Sequence, residues 1–287
     1  MLLTDQLKTA NNLTATEERL RDYILKHLDD VPTITIQQLA AASYTSHSAV
    51  VRFTKKLGFT GFRDFRNQLS KEAQRQALTV QEVNANFPFT PGDSPLTIAK
   101  KMADLTTTAV AHAFAQLNEQ ELGAAANILT KADRIYLFAD GDSQIRARSF
   151  QSKLVKVARV AVIAEEYNDG AWNAAAIRPT DCAVFLSYGG NSSKHIQYLQ
   201  LLHKHQVPTL VITGNAQSAQ LAWADASLVA SQDENDTAVK VSTFSSQATF
   251  EYLLDVLFNI MYARDYQRNL VHLKTNYETV AKINEQG

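Results

Sequence analysis

Hydrophobic residues in positions 1–77 recur with the spacing of amphipathic helices. Thr14 and Glu17 have the spacing of a capping box, in which each side chain satisfies a free amide at a helix start, and Thr35 with Gln38 repeats it. Ser46 can cap a further helix whose apolar positions share one face: Ala49, Val50, Phe53 and Leu57. Two short helices joined by a tight turn are typical of a helix-turn-helix, so we predict an all-α N-terminal domain with a recognition helix starting at Ser46.

The rest of the chain alternates short apolar runs with helical patterns. The candidate strands are Arg134–Ala139, Val160–Glu165, Cys182–Ser187, Pro208–Thr213 and Ser227–Ala230. Such alternation predicts an α/β domain with a doubly wound parallel sheet. Residues 78–95 concentrate turn formers and three prolines, which no single regular element accommodates. We therefore expect a helix-turn-helix domain over 1–77, a linker over 78–95 and the α/β domain over 96–287.

Basic residues are concentrated around the predicted recognition helix. Positions 46–75 contain seven Lys or Arg and two acids, although the whole chain has a net charge of −1. A localised basic stretch suits DNA, although a solvated helical face is the simpler alternative. Arg52 is a candidate for guanine or phosphate, or for an internal salt bridge. Candidates for base edges or nearby phosphates are Thr45, Ser46, His47 and Ser48, and candidates for phosphate contacts are Lys55, Lys56 and Arg63.

Three loops rich in glycine or hydroxyl groups follow predicted strands, and each leads toward a helix. They are the segments 140–143, 188–193 and 213–215. Ligands of doubly wound sheets bind at the carboxyl ends of the strands, where amides and helix dipoles favour an anion. A single loop of this kind is usually only a strand-to-helix turn, but three after successive strands indicate a phosphate site. Candidate ligand residues are Gly141, Gly189, Gly190 and Asn191.

The two halves resemble the two domains of one known family. Residues 33–69, and above all the run VVRFTKKLGFTGFRDF from Val50 to Phe65, resemble the N-terminal domain of RpiR-type (ribose phosphate isomerase regulator) proteins. Residues 96–260 resemble a SIS (sugar isomerase) domain, which follows in the same order in that family. The resemblance implies a regulator of sugar metabolism with a phosphosugar effector. Residues whose family positions face the phosphate are Ser143, Ser187, Ser192 and Thr213.

The sequence departs from the family pattern at four positions. Tyr44 occupies a turn position that is often Gly, so it either adopts a left-handed conformation or changes the turn. Asp142 puts a carboxylate beside the expected anion site. Gly189 replaces a serine of the second loop, and Ser192 replaces a threonine. These departures predict weaker phosphate binding or a ligand that differs from the family norm.

Two other functions fit parts of the sequence. A phosphosugar isomerase needs a carboxylate or histidine base near the sugar carbons. Asp236 lies at the best-matched position, and Glu234 or His195 could substitute, although we expect both of these to be exposed. We favour a non-catalytic sensor because of the helix-turn-helix. A protein–protein adaptor is the third possibility, since the C-terminal tail has apolar residues at helical spacing: Leu270, Leu273, Tyr277 and Val280.

The remaining expectations concern partners and location. Helix-turn-helix proteins usually bind DNA as dimers, so we expect operator DNA, a phosphorylated sugar and a homodimer or higher homo-oligomer. The lone Cys182 lies in an apolar run and is interpreted as a core residue. No His/Cys cluster suggests a metal, and no cofactor is expected. The chain starts without the pattern of a signal peptide and has no membrane-length apolar run, which predicts a cytoplasmic protein.

Overall fold

The computed structural model describes residues 3–28, 30–31, 33–167, 169–235 and 238–285. The chain divides into two compact units, with the boundary between Val80 and Gln81. The N-terminal unit is helical and the C-terminal unit is built around a parallel sheet. Both therefore have the expected fold class. Among the described residues, no helix is both long and apolar enough to cross a membrane.

Helices form the described part of the N-terminal unit: α1 Leu3–Thr9, α2 Ala15–Lys26, α3 Ile36–Ala42, α4 His47–Lys56 and α5 Phe62–Leu78. Both predicted capping boxes are present. The Thr14 amide donates to Glu17 at 2.8 Å, and the Thr35 amide donates to the Gln38 side chain at 2.7 Å. Because each pair satisfies amides that the helix leaves free, α2 and α3 begin where the sequence predicts.

The helices of this unit enclose one apolar core. Residues from α2 to α5 that are fully buried include Leu20, Leu39, Val50, Phe53 and Phe65. Burial of each such side chain contributes about 1.5–3 kcal/mol to stability. The Glu72 carboxylate of α5 accepts hydrogen bonds from the backbone amides of Leu3 and Thr4, which caps α1 and joins the two ends of the unit.

The C-terminal unit contains a five-stranded sheet with the strand order β2-β1-β3-β4-β5, and all strands are parallel. The strands are β1 Arg134–Ala139, β2 Val160–Ile163, β3 Cys182–Leu186, β4 Thr209–Thr213 and β5 Ala226–Val229. The chain reverses its direction of winding between β1 and β3, so a crevice lies outside their carboxyl ends. This topology determines where a ligand can bind.

Helices cover both faces of the sheet. They are α6 Pro95–Gln116, α7 Glu119–Lys131, α8 Asp142–Leu154, α9 Gly170–Ala176, α10 Ser193–Lys204 and α11 Ser245–Arg264. The last helix, α12 Tyr266–Glu285, contacts α11 and the turn after α8. Within β1, Leu137 faces a core shared with α7, α8 and α11, whereas Phe138 faces a core shared with α9 and α10. This alternation follows from the two-residue period of a strand. Cys182 is fully buried, and burial raises its pKa to about 12.

The segment between α5 and α6 is attached to the C-terminal unit by Asn86. Its Nδ2 donates to the Asn235 carbonyl at 3.1 Å, and its Oδ1 accepts from the Asn235 amide at 2.9 Å. The Val241 amide donates to the Asn86 carbonyl at 3.0 Å. These bonds explain why part of the proline-rich stretch is ordered, although it has no regular secondary structure.

Candidate DNA interface and ligand cleft

Helices α3 and α4 and the turn between them form the candidate DNA interface. Ser46 caps α4 by accepting a hydrogen bond from the Ala49 amide at 3.2 Å, and its hydroxyl lies 3.0 Å from that of Ser48. Tyr44 adopts a left-handed conformation with a φ of 53°, and 85% of it is exposed. The turn therefore has the left-handed geometry that usually requires glycine, and Tyr44 adopts it at a cost in conformational energy.

The exposed side of α4 carries most of the predicted DNA contacts. His47, Ser48, Arg52 and Lys55 are exposed, and so is Arg63 at the start of α5. In the part of the chain that the structure describes, no ion pair involves Arg52, Lys55 or Arg63. Thr45 is half-buried, and its hydroxyl lies 2.9 Å from that of Ser43. The arginines and Lys55 are thus available for an external anion.

Lys56 differs from the other predicted phosphate contacts. Its ammonium lies 2.8 Å from the Glu17 carboxylate and donates to the Asn12 carbonyl at 2.8 Å. The hydrogen bond from Lys56 is the main reason why the pKa of Glu17 is lowered. Lys56 therefore joins α4 to α2, and it must break an internal pair before it can contact a phosphate.

The C-terminal unit has a cleft at the carboxyl ends of β1 and β3. Six residues of the predicted loops line it: Asp140, Asp142, Ser143, Tyr188, Gly189 and Ser192. Ser187, at the end of the predicted third strand, lines it as well. Residues after β5 and at the start of α11 complete the wall: Lys240, Thr243, Ser246 and Gln247. No local pattern marks this second group, because the tertiary fold alone brings the irregular segment before α11 and the first turn of α11 to the cleft.

The loop from Ser187 to Ser192 is a tight turn that packs closely against the segment after β4. The Gly190 amide donates to the Ser187 carbonyl at 3.1 Å, which closes a tight turn. Gly190 has a φ of 66°, and a Cβ atom there would lie 2.6 Å from the Ser218 side chain. Ser192 caps α10 and accepts from the His195 amide at 3.4 Å, so its own hydroxyl proton remains available to a ligand.

Four predicted ligand residues do not line the cleft. Gly141 is the exposed N-cap of α8, Asn191 is exposed, and Gly190 is buried beneath the loop. Thr213 is fully buried; its hydroxyl donates to the Tyr188 carbonyl at 3.2 Å and accepts from the Asn215 amide at 3.1 Å. Thr213 thus supports the loop that lines the cleft, a role that differs from the expected phosphate contact.

A group of charged side chains lies at the β1 and β2 end of the cleft. The Lys194 ammonium lies 2.7 Å from the Asp140 carboxylate and 2.9 Å from that of Glu165. The His195 Nε2 lies 2.9 Å from the other oxygen of Glu165. Asp140 follows β1 and Glu165 follows β2, so the sheet edge brings them together. We call these four residues the charged cluster.

Burial and charge act in opposite directions within the charged cluster. Burial favours the neutral form of Glu165, but the hydrogen bond from His195 and the charge of Lys194 outweigh it and lower its pKa. Burial also disfavours the charged form of Lys194, yet Asp140 and Glu165 raise its pKa. Both groups are therefore ionised at neutral pH.

Metal binding was not expected, but the charged cluster contains a suitable donor set. One ligand atom from each of Asp140, Glu165 and His195 lies within 4.8 Å of the others. Because the Lys194 ammonium contacts both carboxylates, a tethered cation already balances their charge. A metal ion would have to displace it.

The expectation that His195 and Glu234 are exposed is wrong. Only 1% of His195 is exposed, because α10 turns it toward β3, where it contacts the edge of Phe185. Glu234 is fully buried and caps α11, since it accepts from the Ser246 amide at 3.0 Å and from the Ser246 hydroxyl at 2.9 Å. Asp236, the third candidate base, lies outside the described residues.

Family models match both units of the chain. The helix-turn-helix domain of the rpiR family matches residues 1–76, and the SIS domain matches residues 128–258. The order of the two domains is the one expected from the sequence. The chain belongs to the RpiR type of transcriptional regulator.

Relatives of this RpiR-type chain carry the same general name. An HTH-type transcriptional regulator of Haemophilus influenzae is 26% identical over 223 residues, which cover 76% of this chain and 75% of the relative. An HTH-type transcriptional regulator of Bacillus subtilis is 25% identical over 257 residues, which cover 90% of this chain and 89% of the relative. The similarity thus extends through both domains.

Solved structures share the fold of the RpiR-type chain. The NanR protein of Vibrio vulnificus, solved in complex with ManNAc-6P, is 22% identical, covers 98% of both chains and superposes with a TM-score of 0.59. The sugar isomerase domain of an RpiR transcription factor from Sphaerobacter thermophilus is 19% identical, covers 61% of this chain and 97% of that domain, and has a TM-score of 0.53.

Proposed function

We propose that this RpiR-type regulator binds operator DNA through α4 and that a phosphorylated sugar in the cleft controls its affinity for DNA. The observation that carries the proposal is the arrangement of the Ser143, Ser187 and Ser192 hydroxyls in one cleft at the carboxyl edge of the sheet. In the described part of the chain, no hydrogen bond involves the hydroxyl of Ser143 or Ser187. Together with the N-termini of α8 and α10, these groups can bind a phosphate.

On the DNA side, Arg52 is the proposed reader of a base edge or a nearby phosphate. The polar start of α4, from Thr45 to Ser48, would enter the major groove, as the first residues of a recognition helix do. Lys55 and Arg63 would contact phosphates and so position the helix without specifying a sequence. Lys56 would contribute after exchanging Glu17 for a phosphate.

The cleft is proposed to sense its ligand without converting it. Isomerisation needs a base that can reach a sugar carbon. Glu234 is fully buried as a helix cap, and Glu165 is held by His195 and Lys194. These carboxylates already have internal partners, which favours a binding role. The NanR neighbour, solved with ManNAc-6P, supports the ligand class.

We infer that the working form is a homodimer or a larger homo-oligomer. One helix-turn-helix unit buries too little surface for specific affinity, and two units reading two half-sites would solve this. The effector would bind one arrangement of the assembly more tightly than another, and this differential affinity would shift the population of DNA-competent molecules.

The test starts with DNA selection, because the operator is identified by the protein itself. The purified full chain would be used to enrich fragments of its own genome, and the enriched site would be labelled for fluorescence anisotropy. Sugar phosphates would then be added, each beside its unphosphorylated sugar. A change in DNA affinity with phosphorylated sugars alone would support the proposal, and no response to any of them would contradict it.

A further inference from the structure

The charges around the cleft do not match those of a simple sugar phosphate. Four carboxylates line or adjoin it, those of Asp140, Asp142, Glu165 and Glu234. Two ammonium groups pair with them, Lys194 with Asp140 and Glu165, and Lys240 with Glu234 at 3.3 Å. Among the described residues, these four carboxylates thus outnumber the two lysines that pair with them by two. A phosphate carries about −1.5 to −2 charges at neutral pH, so a ligand with no other charge is repelled by the excess.

Asp142 is the carboxylate that lacks a cation. In the described part of the chain it contacts the Thr243 hydroxyl, and no lysine or arginine lies within ion-pair distance. It lies next to Ser143, a proposed phosphate contact, and both line the cleft. Its place at the first position of α8 is favoured by the helix dipole. The dipole of α8 explains why the carboxylate of Asp142 is tolerated at this position. The negative charge of Asp142 nevertheless lines the cleft and would act on any ligand there.

A second polar group of the cleft wall is also unsatisfied. His195 lines the cleft and is 1% exposed, yet its Nδ1 atom has no hydrogen-bond partner among the described residues. Buried polar atoms of this kind usually have a partner. The wall therefore combines the phosphate-binding hydroxyls with an unneutralised carboxylate and an unpaired imidazole nitrogen, which favours a ligand with further polar groups.

We propose that the effector is a phosphorylated amino sugar with a free ammonium group. This inference rests on the proposed function, because it specifies the sugar phosphate that the cleft senses. The phosphate would bind the serine hydroxyls, and the ammonium would bind Asp142. Such a ligand supplies the cation that Asp142 lacks. An N-acetylated sugar offers one uncharged amide, and a plain hexose offers a hydroxyl, so neither offsets the excess of carboxylates.

The experiment is a calorimetric titration of the full chain with 6-phosphates of hexosamines, N-acetylhexosamines and hexoses, each in the gluco, manno and galacto configurations. We expect one amino form to bind about tenfold more tightly than its acetylated and hydroxyl counterparts, the ratio expected for one charge-assisted hydrogen bond. Asp142→Asn should remove this preference and increase affinity for the hexose phosphate. Glu119→Gln, which neutralises an exposed acid in the first turn of α7, is the matched control and should leave the ranking unchanged.

The outcomes separate this inference from the function on which it rests. If an acetylated or plain hexose phosphate binds as tightly as the amino form, the inference of an ammonium group is wrong, but the proposed sensing of a phosphosugar still stands. If plain hexose phosphates bind tightly only after a divalent cation is added, a metal supplies the positive charge, and the inference fails in the same way. If no sugar phosphate binds, the proposed function itself fails. The order of affinities that the wild-type protein shows for the three kinds of sugar phosphate tests the inference even if Asp142→Asn does not fold.

Discussion

At the scale of single residues, Glu165 shows how the sheet edge holds a buried charge. It is fixed by His195 on one oxygen and Lys194 on the other, and Gly170 packs against it so closely that a Cβ atom there would lie 3.0 Å from its Cγ. A buried carboxylate without such partners would be strongly destabilising. The ion pairs of Glu165 therefore support the cleft, and His195 is also part of its wall.

Replacing Glu165 with Gln should destabilise the C-terminal unit at neutral pH by about 2 kcal/mol, because His195 and Lys194 lose a buried partner. The pKa of Glu165 is lower in the folded chain, so its ionised form stabilises the fold above the ordinary value of 4.5. This contribution is lost as the pH falls through the lowered folded pKa. The difference between wild type and Glu165→Gln should thus shrink in acid, as measured by thermal unfolding.

The control is Glu121→Gln, which neutralises an exposed carboxylate on α7. It should change the free energy of unfolding by less than about 0.5 kcal/mol at either pH. If the wild type remained more stable than Glu165→Gln by the same free energy at acidic pH as at neutral pH, the role assigned to the ionised Glu165 would be contradicted.

Arg52 is the residue on which the DNA interface can be tested most directly. Arg52→Ala should weaken operator binding by about 1–3 kcal/mol if the guanidinium reads a base edge. Fluorescence anisotropy with the selected operator and with a scrambled duplex would measure it. Arg19→Ala, an exposed arginine on α2, removes the same charge and should have the smaller effect. Equal losses for both variants would mean that Arg52 contributes only general electrostatic attraction.

At the scale of elements, the turn between β3 and α10 determines the shape of the cleft. Gly190 lies where the loop passes Ser218, whose hydroxyl donates to the Gly190 carbonyl at 2.7 Å. The Asn215 side chain also donates to the Gly189 carbonyl at 2.9 Å. These contacts come from the segment after β4, so two consecutive strand-to-helix loops support each other. The glycine is required by both its positive φ and this close approach.

Gly190→Ala should lower the free energy of unfolding by about 1–3 kcal/mol, since the new methyl group meets Ser218 in a conformation that alanine disfavours. Urea titration would measure the loss, and sugar-phosphate binding should weaken with it. Gly123→Ala is the control, because this glycine is within α7 and has no neighbour within 4 Å of an added Cβ. That substitution should stabilise the helix by about 0.5–1 kcal/mol. Unchanged stability in Gly190→Ala would count against the tight packing of the loop.

At the scale of the whole molecule, α12 presents an apolar surface that no described residue covers. Leu273, Tyr277 and Val280 share one helical face, and Tyr277 is 76% exposed. Exposed apolar residues at this spacing commonly mark a contact between proteins. They are where we expect subunits to meet, with the α/β unit carrying the association.

Replacing both Tyr277 and Val280 with Ser should weaken self-association, because the variant removes apolar area from this face. Light scattering coupled to size-exclusion chromatography would report a shift toward the 31.8 kDa mass of one chain. Operator affinity should fall with it, since paired half-sites need paired subunits. Glu278→Ser, between the two positions on another side of α12, is the control. An unchanged mass for the double variant would place the subunit contact elsewhere.

Local physics made much of this protein predictable from its sequence. The capping pairs Thr14–Glu17 and Thr35–Gln38 satisfy amides three residues away, so the sequence alone predicts them without knowledge of the fold. Hydrophobic patterning likewise predicted α4 and the five strands, and the left-handed Tyr44 was one of the two expected alternatives. The family was indicated by a resemblance instead, carried above all by the run from Val50 to Phe65, and the order of the two domains agrees with that resemblance.

Only the tertiary structure decided which charges meet. His195 and Glu165 are 30 positions apart, and Lys56 and Glu17 are 39 apart, so no local pattern pairs them. Lys240 and Thr243 reach the cleft from an irregular segment, and Thr213 became a support for the loop because β4 ends beneath it. Short-range hydrogen bonds and periodicity determine elements, whereas the partners of a charge depend on which elements the sheet brings together. The sequence therefore predicted the fold and the serines that line the cleft, whereas the pairing of charges around the cleft depended on the tertiary structure.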